Sequence, residues 1–249
     1  PGTGFDGGIS SLALRADGRL QAGGSFLHYN GQPAATVACL QENGSWVGGL
    51  AGECRARGTV GTVLPAAGGR WVVTGDFRWV NGVPRNRMAR LNADGTLDGT
   101  FDPGTGFNGT VNTLAAHAGG RIVAAGAFTS FNGTERYRIA RLNADGSLDG
   151  TFNPRRGFDN DVKTIAVQRD GKVLAGGSFW RCDNWACAYI GRLYQDGGRD
   201  TGFDAGGGFD HPVDCLELQG DGRILVGGLF DSFDGVTRPH FARLLAYGG

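Results

Sequence analysis

The chain has 249 residues, and its 24 Lys+Arg balance 24 Asp+Glu. A net charge of zero excludes the positive field that a nucleic-acid or anionic-membrane surface requires, and no apolar run approaches the ~18–20 residues of a membrane span. The chain begins at Pro1 with no signal peptide, and is expected to be a mature or excised segment of something longer.

The first predicted strand is ISSLAL (9–14). Asp17-Gly18, a strong hairpin pair, turns it into a second strand ending in GGSF (23–26). The loop LHYNGQPAAT (27–36) follows, then a third strand ending at Leu40. The stretch QENGSWVGGLAGECRARG (41–58) erodes the pattern, which returns afterwards. Phe26 is followed every 51 residues by Phe77, Phe128, Phe179 and Phe230, and Leu40 by Leu91, Leu142, Leu193 and Leu244. Phe5, Phe107, Phe158 and Phe209 also keep register, with Ala56 in the missing slot. A spacing without drift marks a structural period.

The clearer units hold four predicted strands each. VNTLAA (111–116), VKTIAV (162–167) and VDCLEL (213–218) match the first strand. RIVAAGAF (121–128), KVLAGGSF (172–179) and RILVGGLF (223–230) match the second; they are apolar almost throughout, which implies burial on both faces. MARLN (88–92) and IARLN (139–143) are third strands, and ADG turns lead to the fourth, TLDGTF (96–101) or SLDGTF (147–152). DPGTGF (102–107) then enters the next unit.

No segment carries a long helical stripe. An all-β chain of four-stranded units in tandem predicts a single β-propeller of five antiparallel blades, spanning roughly 5–55, 56–106, 107–157, 158–208 and 209–249. The end of the chain lacks the counterpart of LDGTFD (97–102), so the last blade is expected to lack its outer strand. A ring closed within these residues is the expectation; a slice of a longer array is the alternative. Many of the 47 glycines let neighbouring sheets approach, and the phenylalanine after each Gly-rich run fills the wedge between blades.

Residues 89–128, ARLNADGTLDGTFDPGTGFNGTVNTLAAHAGGRIVAAGAF, resemble the delta-60 repeat, a bacterial tandem β-propeller repeat of secreted and surface proteins. The resemblance spans all five units and departs at 41–58. It implies the propeller fold and a surface context, and no particular reaction.

Five cysteines are present. Cys182 and Cys187 end the loop segment CDNWAC, and a local disulfide is expected there; a metal pair is the alternative, but no second ligand pair has zinc-like spacing. A second bridge is expected between Cys39 and Cys54. Cys215 takes the phase of Ser11, Thr62, Thr113 and Thr164 and reads as a small strand residue. Two bridges would fit an extracellular or cell-surface location.

Function is expected in the loops after Phe26, Phe77, Phe128, Phe179 and Phe230, which share one face of a propeller. Their candidate ligand-binding residues are His28, Tyr29 and Asn30 in blade one, Trp79, Asn81 and Arg85 in blade two, and Asn132 and Arg136 in blade three. Blade four offers Trp180, Asp183 and Trp185, and blade five Asp234, Arg238 and His240. Flat rings beside planar hydrogen-bonding groups suit glycans, or another surface partner. The competing reading of the recurrent Asn/Asp-Gly is plain turn chemistry, with the preceding residue plugging the loop against its blade. His28, Trp79, Trp180, Trp185 and His240 break the repeat and carry more functional information.

NADGTLD (92–98) and NADGSLD (143–149) lack the ligand pattern of a calcium loop and read as hairpin turns. No metal or cofactor is expected. Neither is catalysis: acids sit at periodic turn positions, and His28, His117, His211 and His240 fall at different phases with no nucleophile signature. The alternative to a binding module is a structural spacer or subunit of a larger adhesin, fibre or filament.

Overall fold

A computed structural model describes residues 2–15, 17–34, 36–47 and 58–249. It contains five three-stranded antiparallel sheets, one per repeat. The inner strands are Ile9–Leu14, Val60–Pro65, Val111–His117, Val162–Val167 and Val213–Leu218. The middle strands are Leu20–Gly24, Trp71–Gly75, Arg121–Gly126, Val173–Gly177 and Ile224–Gly228, and the outer ones Val37–Leu40, Met88–Leu91, Ile139–Leu142, Ile190–Leu193 and Phe241–Leu244. Every inner strand carries a register shift at its second residue, as at Val111/Thr113, which increases local twist. Inner strands pack on one another in sequence order from blade one to blade five. Among the described residues, no comparable packing joins the inner strand of blade five to that of blade one.

The core lies between blades rather than within them. Val37 and Cys39 of blade one cluster with Val60, Val63 and Val73 of blade two, and each later junction repeats the arrangement. This is why the middle strands lack alternation: Trp71–Gly75 and Val173–Gly177 are buried at every position. Gly176 illustrates the close approach, because a Cβ there would lie 2.5 Å from Val213 Cγ1 of the next blade.

Phe26, Phe77, Phe128, Phe179 and Phe230 are all fully buried. Phe5, Phe107, Phe158 and Phe209 meet their partners Phe26, Phe128, Phe179 and Phe230 with centroids 4.3, 4.4, 4.3 and 4.2 Å apart. The same linker phenylalanines bridge to Tyr29, Phe131, Cys182 and Phe233 at the start of each loop. The residue before the Asn/Asp-Gly is thus a plug, as turn chemistry predicts.

The fourth segment of blades one to four pairs with its blade through one bridge each, Leu40↔Trp46, Leu91↔Leu97, Leu142↔Leu148 and Leu193↔Arg199. In blades two to four it departs early because a carboxylate bends it. Asp98 Oδ1 accepts hydrogen bonds from the backbone N–H and the hydroxyl of Thr100, at 2.9 and 2.6 Å. The turn buries Phe101 and holds Asp98 Oδ2 2.7 Å from Arg90 Nε. Arg141–Asp149 and Arg192–Asp200 repeat this clasp. Each arginine also donates to a carbonyl of the following blade, Ala144 O, Gln195 O or Ala246 O.

Burial alone would raise the pKa of Asp98 and of Asp149, but hydrogen bonds from the following threonine and the arginine outweigh it and hold both at about 2. A depressed folded pKa stabilises the protein above the unfolded value, and that stability disappears as pH falls through the folded one. Acidification from about pH 4 to about pH 2 should therefore remove on the order of 1–2 kcal/mol per clasp. Urea unfolding at about pH 5 and about pH 2.5 checks this, and Asp149→Asn should reduce the difference by the share of its own clasp.

The expected cysteine bridges need correction. Cys182 and Cys187 are free thiols. Cys187 Sγ donates to Trp185 O at 3.4 Å. The neighbouring Cys187 and burial push the Cys182 thiol far up, whereas Cys182 lowers the Cys187 thiol against the opposing effect of burial. Cys182 occupies the plug position of Phe131 and Phe233, so it serves packing rather than crosslinking. Cys39 is also a free, buried thiol, and burial raises its pKa. It stands at the clasp-arginine phase, while Val47 replaces the clasp aspartate; both charges are lost together. Its proposed partner Cys54 lies outside the described residues.

Candidate functional site

The loop after each buried phenylalanine is a hairpin of two-residue strands, such as Arg181–Cys182 with Trp185–Ala186. Its tip residues Asn30, Asn81, Asn132, Asp183 and Asp234 have φ of 51, 52, 49, 47 and 47°. That left-handed conformation favours Asn and Asp. Four of these side chains also hold the blade-to-blade linker: the backbone N–H of Gly4, Gly106, Arg156 and Gly207 donate to the Oδ1 of Asn30, Asn132, Asp183 and Asp234. At the loop base, Asp6, Asn108, Asp159 and Asp210 each accept two backbone N–H groups from the first loop residues, for example Trp180 and Arg181 on Asp159 Oδ1, both at 2.9 Å. These periodic polar residues build the platform.

Of the remaining candidates, several are tied to the platform. His28 Nδ1 lies 2.7 Å from Asp6 Oδ2, and hydrogen bonds from the His28 backbone and ring hold the Asp6 carboxyl at about 2. The Tyr29 hydroxyl donates to Gly44 O at 2.6 Å, and its ring stacks on Trp46 with centroids 6.0 Å apart. Arg85, Arg136 and Arg238 each donate to the carbonyl of the preceding residue, at 2.9, 2.7 and 3.0 Å. His240 is exposed with φ of 63°.

The tryptophans differ. Trp79, Trp180 and Trp185 are 46, 49 and 65% exposed, more than packing would leave. Blade four carries two of them in one hairpin loop. Trp180 meets Tyr189 edge-on with centroids 5.7 Å apart, and the Arg199 guanidinium lies 5.5 Å from the Trp185 ring centroid. Trp180, Cys182, Cys187 and Arg199 line a cavity of about 180 Å³ beside them. Sequence reasoning missed Arg199, although a signal existed: it breaks the repeat where Leu97 and Leu148 stand.

A second concavity, of about 610 Å³, lies at the turns between inner and middle strands and is lined by Arg15, Arg70, Arg90, His117 and Arg121. Its cations are largely matched: Arg15 pairs with Asp17, Arg70 and Arg90 with Asp98, and Arg121 with Asp149. Asp210, His211 and Asp231 bring ligand atoms within 4.8 Å of one another at an exposed corner of blade five. There, Asp210 is already committed to the loop-base hydrogen bonds. The Asp94 and Asp145 turns likewise close on their own Thr96 and Ser147.

The family model of a domain of unknown function (DUF5122) beta-propeller matches residues 15–45, 69–101, 119–152, 168–203 and 219–248, more than half of the chain. The chain belongs to this β-propeller family. The DUF5122 match supports a propeller repeat; the delta-60 name remains a resemblance. No curated protein matches it. Among solved structures, virginiamycin B lyase from Staphylococcus aureus is similar at 15% identity and a TM-score of 0.57, over 98% of this chain and 69% of that one. The extracellular domain of a protein assigned as a one component system of B. thetaiotaomicron is similar at 14% and 0.52, over 98% of this chain and 28% of that one. A gluconolactonase from Xanthomonas campestris is similar at 14% and 0.50, over 88% and 69%. At these identities the likeness establishes the fold. It also corrects one expectation: a lyase and a gluconolactonase are built on similar propellers, so the absence of a sequence signature for catalysis does not make this DUF5122 chain a non-enzyme.

Proposed function

We propose that the DUF5122 propeller recognises glycans, outside the cell or at its surface, through its loop face, with the blade-four loop as the principal site. The observation that carries this reading is the pair Trp180 and Trp185, exposed on one hairpin whose scaffold needs neither ring. An indole face covers the apolar face of a pyranose, and Arg199 beside Trp185 offers a fork of donors to hydroxyls. Trp79 on blade two extends the surface and would add a weaker contact, with avidity across blades. The extracellular setting is supported by the delta-60 resemblance and by a similar propeller that is itself an extracellular domain.

The test is a glycan array followed by titration of the best binder. Trp185→Ala should leave the melting temperature unchanged and weaken binding about tenfold or more, as hot-spot aromatics do. Retained affinity in Trp185→Ala and in Trp180→Ala, or no glycan bound at all, would sink the reading.

A further inference from the structure

The blade-to-blade junctions reuse a small set of contacts, and both ends of the series present halves of it. In the junctions, Gly23 and Gly176 of a middle strand leave room for Val60 and Val213 of the next inner strand, at 2.6 and 2.5 Å from the position of a Cβ. Gly227 has the same phase, yet among the described residues only Cys215 Sγ and His240 O of its own blade lie within 4 Å of that position. Arg90, Arg141 and Arg192 donate to a carbonyl of the next blade, whereas Arg243 at this phase is exposed. Phe241 is 59% exposed where Ile190 is 1%. At the other end, Leu12 is 60% exposed where Leu114 is 8%, and Ile9 and Leu14 are exposed beside it.

Two apolar faces of this extent are costly in water, and each is the complement of the other. The match to the lyase covers 69% of that chain, and in proportion to five repeats the remainder has the length of about two more units. A second whole copy brings five blades to that space, too many to seat in the plane of the arc. We propose that these end faces dock further blades of the same repeat, about two of them, contiguous in the same polypeptide, so that blade five packs on the next inner strand and Leu12 is covered by the last blade.

The test extends the 249-residue chain after Gly249 with a second copy of residues 148–249, which keeps the 51-residue phase. The extended chain should melt several degrees higher and bind less 8-anilinonaphthalene-1-sulfonate, a dye for exposed apolar surface. Leu12→Asp should be neutral in the 249-residue chain and lower the melting temperature of the extended one. Unchanged melting and dye binding on extension overturns the proposal. So does a Leu12→Asp cost in the 249-residue chain equal to that of Leu114→Asp, since the end face would then already be packed. A head-to-tail dimer of the 249-residue chain in sedimentation, dissociated by Leu12→Asp, would assign the faces to a second copy instead.

Discussion

Replacing Arg141 with alanine is expected to destabilise the protein by about 3–5 kcal/mol, the range for removing one partner of a buried ion pair. Arg141 is 2% exposed, and its guanidinium is used in every direction. Nε lies 2.7 Å from Asp149, one terminal nitrogen donates to Gln195 O at 2.6 Å and the other to Thr151 at 3.1 Å. The group also sits 4.9 Å from the Phe152 centroid. Truncation leaves Asp149, itself 4% exposed, charged and without its principal partner, and removes a link between blades three and four. Equilibrium denaturation measures the loss. The pair Arg141→Met with Asp149→Leu should recover much of it, because no buried charge is then stranded. If Arg141→Ala costs under about 1 kcal/mol, the clasp behaves as a surface pair and its burial is misread.

Phe179→Ala should cost about as much, roughly 3–5 kcal/mol, through a different cause. The ring is fully buried, 4.3 Å from Phe158, and belongs to the cluster that joins blades three and four. The loop backbone closes over it, with Tyr189 N donating to Phe179 O at 3.0 Å, so the site cannot collapse to fill the space. Phe179→Leu should recover part of the loss, whereas Phe179→Ala combined with Phe158→Ala should cost less than the sum of the two, since the rings share one cavity. Thermal and denaturant unfolding of the four variants decides it.

Much of the fold was legible because a tandem repeat states each structural requirement several times. The inner strands Ile9–Leu14, Val162–Val167 and Val213–Leu218 fall on the segments predicted from apolar pattern and Asp-Gly turns. The wedge role of Phe179 followed from its period, since a ring needed once per blade recurs once per blade. The fourth strand was overextended in prediction because the carboxylate of Asp98 turns back on Thr100, a local competition that strand patterning does not register. The cysteines misled for a related reason. Cys182 substitutes for a core aromatic and Cys39 for a clasp arginine, so their spacing reflects blade positions rather than crosslinks.

At the candidate site, residue type and repeat-breaking identified Trp180 and Trp185, but not the company they keep. Arg199 reaches Trp185 from the fourth segment only because the blade folds back on itself. The sequence by itself determined the number of repeats, their register and the position that each side chain takes in a blade, because these depend on contacts that recur with the period. Only the tertiary structure decided which Asn and Asp side chains are absorbed by the linkers and which aromatic rings remain exposed. It alone distinguished Leu12 from Leu114 and Phe241 from Ile190. Residues of identical phase carry the same local instructions, and their burial depends on whether another blade stands beside them.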